Sequence, residues 1–241
     1  MENNKDHNIY QRSYYESALD KPAMQVRDTP YVRNHIRKMV RHSNITRDHA
    51  ILEVGAGLGK FSIPLLQQGF NITCNDISPV LLEKLRAGAP VPVDTVCCDI
   101  STIDSQEIGL FDKIIGFFTL HHMEDLNSVF RALNAVLKPG GELFFIEPLA
   151  RNPLYYLQVA FTPKMTWQAE KGIMNMSDRV IHRSLRNAGL TPGKSVTYGF
   201  LPPFLYNRRL GKKTDGFLDS YNWMKFAHAF SLFHGTKDDL S

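Results

Sequence analysis

Residues 51–60 read ILEVGAGLGK: a short apolar run ends in an acid and then breaks into glycines at 55, 57 and 59. An apolar run of this length bounded by glycine reads as a buried strand. The glycines after it let the backbone turn sharply and approach a ligand that Cβ atoms would obstruct. This predicts a strand–loop–helix unit, and such units belong to layered α/β sheets. Gly-rich loops of this kind commonly hold nucleotides, but two such readings fail. The dinucleotide fingerprint G-x-G-x-x-G/A needs a small residue where Lys60 stands, and a phosphate-binding P-loop needs Ser or Thr where Phe61 stands. What remains is E-x-G-x-G-x-G, from Glu53 to Gly59.

The pattern beyond the loop keeps alternating. Strands are predicted at 50–54, 71–75, 93–98, 113–118 and 142–147, with helices between them at 59–68, 79–86 and 126–137. Ser78 before Pro79 and Asp125 before Leu126 are predicted N-caps, and Lys138-Pro139-Gly140-Gly141 is a stop signal. Strands alternating with helices imply right-handed crossovers and a parallel sheet. A capped helix at 177–188 and strands at 194–200 and 227–234 are predicted later. Residues 9–47 are predicted helical, with Val32, Ile36 and Val40 on one face.

Composition narrows the class. With 241 residues, 43% of them hydrophobic, the chain can bury a real core. A net charge of +4 is too small to argue for nucleic acid. Cys74, Cys97 and Cys98 are an odd set without C-x-x-C spacing, which predicts reduced, packed thiols in a cytoplasmic protein. The polar start MENNKDHN does not read as a signal peptide. The most apolar stretch, 143–161, is broken by Glu147, Pro148, Arg151 and Pro153, so no membrane span is predicted.

A second acid, Asp76 in CNDIS, closes the next strand 19 residues beyond Gly57. A carboxylate there suits a ribose diol. Loop and acid together describe a nucleoside site that does not require a phosphate. Then ILEVGAGLGKFS, CNDIS, CCDIST, FDKIIGFFTLHHMED and LKPGGELFFIEP follow in order. Over residues 48–148 the chain resembles the class I S-adenosylmethionine-dependent methyltransferase family, particularly its small-molecule branch.

The resemblance implies a Rossmann-like, doubly wound α/β sheet of seven strands, mostly parallel with an antiparallel last strand. Residues 1–47 would form an N-terminal helical cap or lid, 48–148 the cofactor-binding core, and 149–241 the rest of the same domain with acceptor-pocket insertions. It also implies the cofactor S-adenosyl-L-methionine. Glu53 and the backbone of Gly55, Ala56, Gly57 and Gly59 would lie against its methionine part. Asp76 would take the ribose hydroxyls, with Ile77 on adenine. Asp99 would accept from the adenine amino group, with Ile100 beside the ring, and Phe117 and Phe118 would stand near the sulfonium. One of Tyr10, Tyr14 and Tyr15 is expected at the site, and Tyr14 is assigned to it.

Methyl transfer needs alignment and, for a hydroxyl acceptor, a proton acceptor. His121 and His122 stand just past the fourth strand and are the candidate bases; the competing reading is a loop hydrogen bond. Glu147 is the next catalytic candidate, against a capping role. No metal is predicted, because no third ligand stands at metal-site spacing from the histidine pair. The absence of a D/N-P-P-Y/F run and of a cysteine after the fourth strand argues against nucleic-acid acceptors.

Tyr155, Tyr156, Phe161 and Trp167 are read as an acceptor-pocket wall suited to an aromatic or lipid-like small molecule, or else as core. Arg33, Arg37 and Arg41, and the cluster Arg208, Arg209, Lys212 and Lys213, are a solvated face or a contact for an anionic acceptor or peripheral membrane surface. The sequence bears no signal of oligomeric state. The predicted activity is methyl transfer to a small molecule, at oxygen ahead of nitrogen or carbon. Its rivals are a methyltransferase for a quinone, sugar or lipid-linked intermediate at a membrane surface, and a non-catalytic cofactor-binding module.

Overall fold

A computed structural model describes residues 2–17, 19, 24–152, 156 and 166–239. Five strands appear first: β1 (Ile51–Val54), β2 (Ile72–Asp76), β3 (Thr95–Cys97), β4 (Phe111–Phe117) and β5 (Leu137–Pro148). They pair in parallel, with β1 between β2 and β4. β6 (Thr191–Pro192), β7 (Val196–Tyr198) and β8 (Phe230–Thr236) follow. β8 runs antiparallel to β5, β6 and β7. The strand order is β3-β2-β1-β4-β5-β8-β6, with β7 also on β8. This is the mostly parallel, doubly wound sheet expected, with eight strands where seven were predicted; the unpredicted one is the two-residue ladder β6. The order reverses between β1 and β4, where the crevice of such sheets opens at the strands' carboxyl ends.

The helices are α1 (Glu2–Glu16), α2 (Pro30–Ser43), α3 (Ser62–Gln67), α4 (Pro79–Gly88), α5 (Leu126–Val136), α6 (Asp178–Asn187) and α7 (Gly211–Asp219), with several single turns between them. Ser78 and Asp125 cap α4 and α5 as their positions predict, accepting from Leu81 and Asn127 backbone N–H groups. α3 starts only at Ser62, not at 59, because Gly55, Gly57 and Gly59 all hold positive φ (70°, 56° and 85°). Lys138–Gly141, predicted as a stop, instead lies within β5 across a register shift against β4.

Period-two alternation in the strands supplies two cores. Ile51, Ile115, Ile146 and Leu232 face α2, α3 and α4, while Leu52, Ile114, Phe145 and Phe233 face α5 and α6. All eight are buried, and each such burial contributes about 1.5–3 kcal/mol. Among the described residues no helix is long and apolar enough to cross a membrane.

Candidate active site

The carboxyl ends of the first four strands border a cavity of about 230 Å³. One wall is the glycine loop. A Cβ on Gly55 would lie 2.1 Å from Thr119 Oγ1, so only glycine lets the loop lie against β4. A Cβ on Gly57 would meet nothing within 4 Å and would project into open space. Gly59 sits behind the wall, where a Cβ would strike Ile63 and Leu85. Asp76 ties this wall together: its two carboxylate oxygens accept from Gly57 N and Ser78 N, each at 2.9 Å. Asp99 accepts from Ser101 N at 2.9 Å and also from the Asn8 side-chain amide. Ala56, Ile77, Ile100, Phe117 and Phe118 line the same cavity.

Glu53 does not reach the cavity surface and is 1% exposed. Burial, aided by the nearby Asp76 charge, pushes its carboxyl up to about 8, so it is protonated at neutral pH. Its Oε2 meets no donor in hydrogen-bonding geometry. Lys60, which the motif reading used only to reject a dehydrogenase, lines the cavity. Burial brings its ammonium down to about 8, and its Nζ lies 5.5 Å from the Phe61 ring centroid. Phe61 stacks on Phe117 at 4.2 Å. Phe118 holds φ +56°, a left-handed backbone that costs a non-glycine residue about 1–3 kcal/mol. Strain of this kind collects at ligand sites, and the Phe118 ring stands in this one.

The opposite wall carries the histidines, and they differ sharply. His121 is 4% exposed and faces away from the cavity. Its Nδ1 bonds Glu147 Oε2 at 2.6 Å and its Nε2 lies 3.3 Å from Glu170 Oε2. Burial lowers its pKa, but the Glu147 and Glu170 carboxylates overcome this and carry it up to about 9. Both ring nitrogens therefore donate, and His121 is not a base at neutral pH. Glu147 is fully buried, and its Oε1 accepts from Thr119 N and Leu120 N at 2.8 and 2.7 Å. It caps the turn that bears the histidines and does not touch the cavity, so its geometry is that of the capping alternative.

His122 lines the cavity. Burial, and then the charge of His121, depress it to about 3, so it is neutral. Its Nδ1 faces Ala169 O at 3.1 Å; a carbonyl only accepts, so Nδ1 carries the proton. Nε2 is left as the acceptor, with the Tyr15 hydroxyl 2.6 Å away. Glu170 supplies the third donor that sequence spacing lacked: His121, His122 and Glu170 form a group that could hold a metal ion. The doubly protonated state of His121 works against a cation there.

α1 closes the cavity with Asn8, Gln11, Arg12 and Tyr15. Tyr15, not Tyr14, is its tyrosine at the cavity, since one residue turns a helix by about 100°; Tyr14 stacks on Tyr10 at 6.2 Å. Tyr156 and Trp167 pack at 6.0 Å, away from the cavity lining, and Tyr155 and Phe161 lie outside the described residues. The expectation of three packed thiols fails for Cys97, which is exposed on the edge strand β3; Cys74 is buried and Cys98 lines the cavity.

Residues 52–145 match the family described as "Methyltransferase domain". Those residues, which carry the glycine loop and its acids, form a methyltransferase domain. It is 29% identical over 175 residues to the ubiquinone biosynthesis O-methyltransferase of Xanthomonas axonopodis pv. citri (strain 306), covering 68% of this chain and 72% of that one. Two solved structures share the fold. A possible histamine N-methyltransferase from Thermotoga maritima superposes with TM-score 0.65 at 16% identity, covering 95% of this chain and 100% of that one. N-methyltransferase NodS from Bradyrhizobium japonicum WM9, in complex with S-adenosyl-L-homocysteine, superposes with TM-score 0.61 at 18% identity, covering 94% and 98%. The domain places the glycine loop and its acids on one wall of the cavity and the histidine pair on the other.

Proposed function

We propose that this methyltransferase binds S-adenosylmethionine in the cavity and methylates a hydroxyl oxygen of a small, ring-bearing acceptor, with His122 receiving the hydroxyl's hydrogen bond. The residues fit the cofactor. Gly57 leaves open space where a side chain would intrude, and Asp76 and Asp99 stand at successive strand ends. The cofactor supplies a methyl group on a sulfonium, already activated for in-line displacement. Asp76 has lone pairs left for a ribose diol after its two backbone bonds. Asp99 exchanges the Asn8 amide for the adenine amino group. Lys60 offers the cofactor's carboxylate a counter-charge in an apolar wall, where the attraction is strong.

The observation that carries the oxygen reading is His122: a neutral imidazole lining the cavity, whose acceptor nitrogen meets the hydroxyl of Tyr15, another lining residue. Held near 3, it is too weak to strip a phenol of pKa about 10 beforehand. As the oxygen takes the methyl group its proton becomes strongly acidic and moves to Nε2, so proton transfer runs with or after methyl transfer. Tyr15 holds Nε2 until the acceptor hydroxyl replaces it. The aromatic wall of Phe61, Phe117 and Phe118 suits a ring-bearing acceptor.

The similarity to a protein named ubiquinone biosynthesis O-methyltransferase supports oxygen as the target. It also favours a second reading, a quinone-type acceptor. Tritiated-methyl transfer into a cell extract, followed by product mass, tests the proposal. An O-methylated product whose formation collapses in His122→Ala is expected. N-methylated product, or no transfer with the cofactor bound, would overturn it.

A further inference from the structure

α7 reverses the usual arrangement of a surface helix, which buries its apolar face. The side chains it turns inward are acids. Asp215 is 4% exposed and accepts from Phe200 N and Leu201 N at 2.8 and 2.9 Å. Asp219 accepts from Gly199 N at 3.2 Å and faces Lys38 and His228. With the helix pinned by acids, Phe217 points out and Leu218 is half-buried. Phe217 is 62% exposed, and the flanking segments leave Phe204 at 65%, Leu210 at 66%, Trp223 at 70% and Phe226 at 67%. Leu205 and Tyr221 are exposed as well, so among the described residues most of the large exposed apolar side chains fall within 204–226. Basic residues are interleaved with them: Arg208, Arg209, Lys212, Lys213 and Lys225 are all exposed. The acids that would balance them are the two turned inward.

We propose that residues 204–226 form a docking surface for an anionic lipid bilayer. The apolar side chains would enter the acyl boundary while the Arg and Lys heads meet phosphate, the pairing on which interfacial helices rely. Leu205 and Leu210 have no ring to stack on a base, which favours lipid over single-stranded nucleic acid. The surface is also close to the cavity. Asn207 Oδ1 accepts from Tyr31 N at 2.9 Å, the Tyr206 ring lies 6.0 Å from Tyr31, and Tyr31 stacks on the cavity residue Phe118 at 6.4 Å. A docked protein would hold its cavity beside the bilayer. The docking surface stands without the acceptor reading, since vesicle binding is measured with no methyl transfer.

The test is co-sedimentation of the full chain with phosphatidylcholine vesicles, with and without phosphatidylglycerol. Tryptophan emission is followed in a Trp167→Phe background, which leaves Trp223 as reporter. Binding about tenfold tighter to the anionic vesicles, with a blue shift of Trp223, is expected. Lys212→Glu/Lys213→Glu and Phe217→Ser/Phe226→Ser should each reduce binding about tenfold, with S-adenosylhomocysteine affinity unchanged as the check on folding. Four results would overturn the proposal: no sedimentation with either vesicle; equal sedimentation with both; binding that survives both double variants; or, without vesicle binding, self-association or RNA retention that Phe217→Ser/Phe226→Ser abolishes.

Discussion

The two walls of the cavity are built in opposite ways. The glycine wall uses carboxylates to hold backbone N–H groups, and the loop itself lines the cavity. The histidine wall uses carboxylates to hold a charged ring. That ring, His121, is hidden; burial and then the charge of His121 keep its half-buried neighbour His122 neutral. Rings with centroids 3.9 Å apart thus reach the opposite ends of the histidine range. Where the first wall shapes a space, the second splits a histidine pair into a buried cation and a neutral ring at the cavity.

The sharpest way to break this division is at the loop. Gly57→Val places a branched side chain at φ +56° in the open cavity; calorimetry should show S-adenosylhomocysteine affinity reduced about 100-fold or more. Next comes His122→Ala, which leaves cofactor affinity intact and lowers kcat by about 100- to 10,000-fold; a change under about threefold would remove His122 from the chemistry. His121→Ala should show its main effect in denaturant unfolding, a loss of about 3–5 kcal/mol, because Glu147 and Glu170 lose their buried partner.

The pH profile separates the walls more finely. His121 is raised from 6.5 to about 9 in the fold, so its ion pairs stabilise fully below 6.5 and the contribution is lost as pH rises through 9. Glu53 is raised from 4.5 to about 8, so its contribution falls in the same direction from 4.5 to 8. Urea unfolding should therefore show a declining contribution from both between pH 6.5 and 8. Glu53→Gln, which copies the protonated carboxyl, should remove the acid-side part of that slope. Its own effect at pH 5 is the smallest expected, within about 1 kcal/mol of the parent.

The glycine wall was legible because its parts are local. Three glycines, the acid before them and the acid 19 residues on are a short-range pattern. The histidine wall was half legible. The pair itself stood out, but what distinguishes its members comes from Glu147, Glu170 and Tyr15, brought together from distant segments by β5, the turn after Thr166 and α1. Nothing in the spacing of these residues signals contact. Tyr14 and Tyr15 could be told apart only by the rotational setting of α1, which tertiary contacts decide. Lys60 was visible and was read only as a mismatch to another motif. The basic cluster at 208–213 suggests a solvated face or an anionic contact from sequence alone; that its neighbouring aromatics are exposed follows only from the packing of Asp215 and Asp219.

α1 is fastened to the groups it covers. Asn8 bonds Asp99, Glu16 accepts from Ser78, His7 reaches His122 O and Tyr15 holds His122. In the proposed binding mode, a cofactor in this cavity would lie beneath the helix that these bonds hold in place. If the cofactor binds there, its exchange and the opening of α1 become one event, so loosening any of these four ties should speed cofactor release and raise turnover only where release, and not methyl transfer, is the slow step.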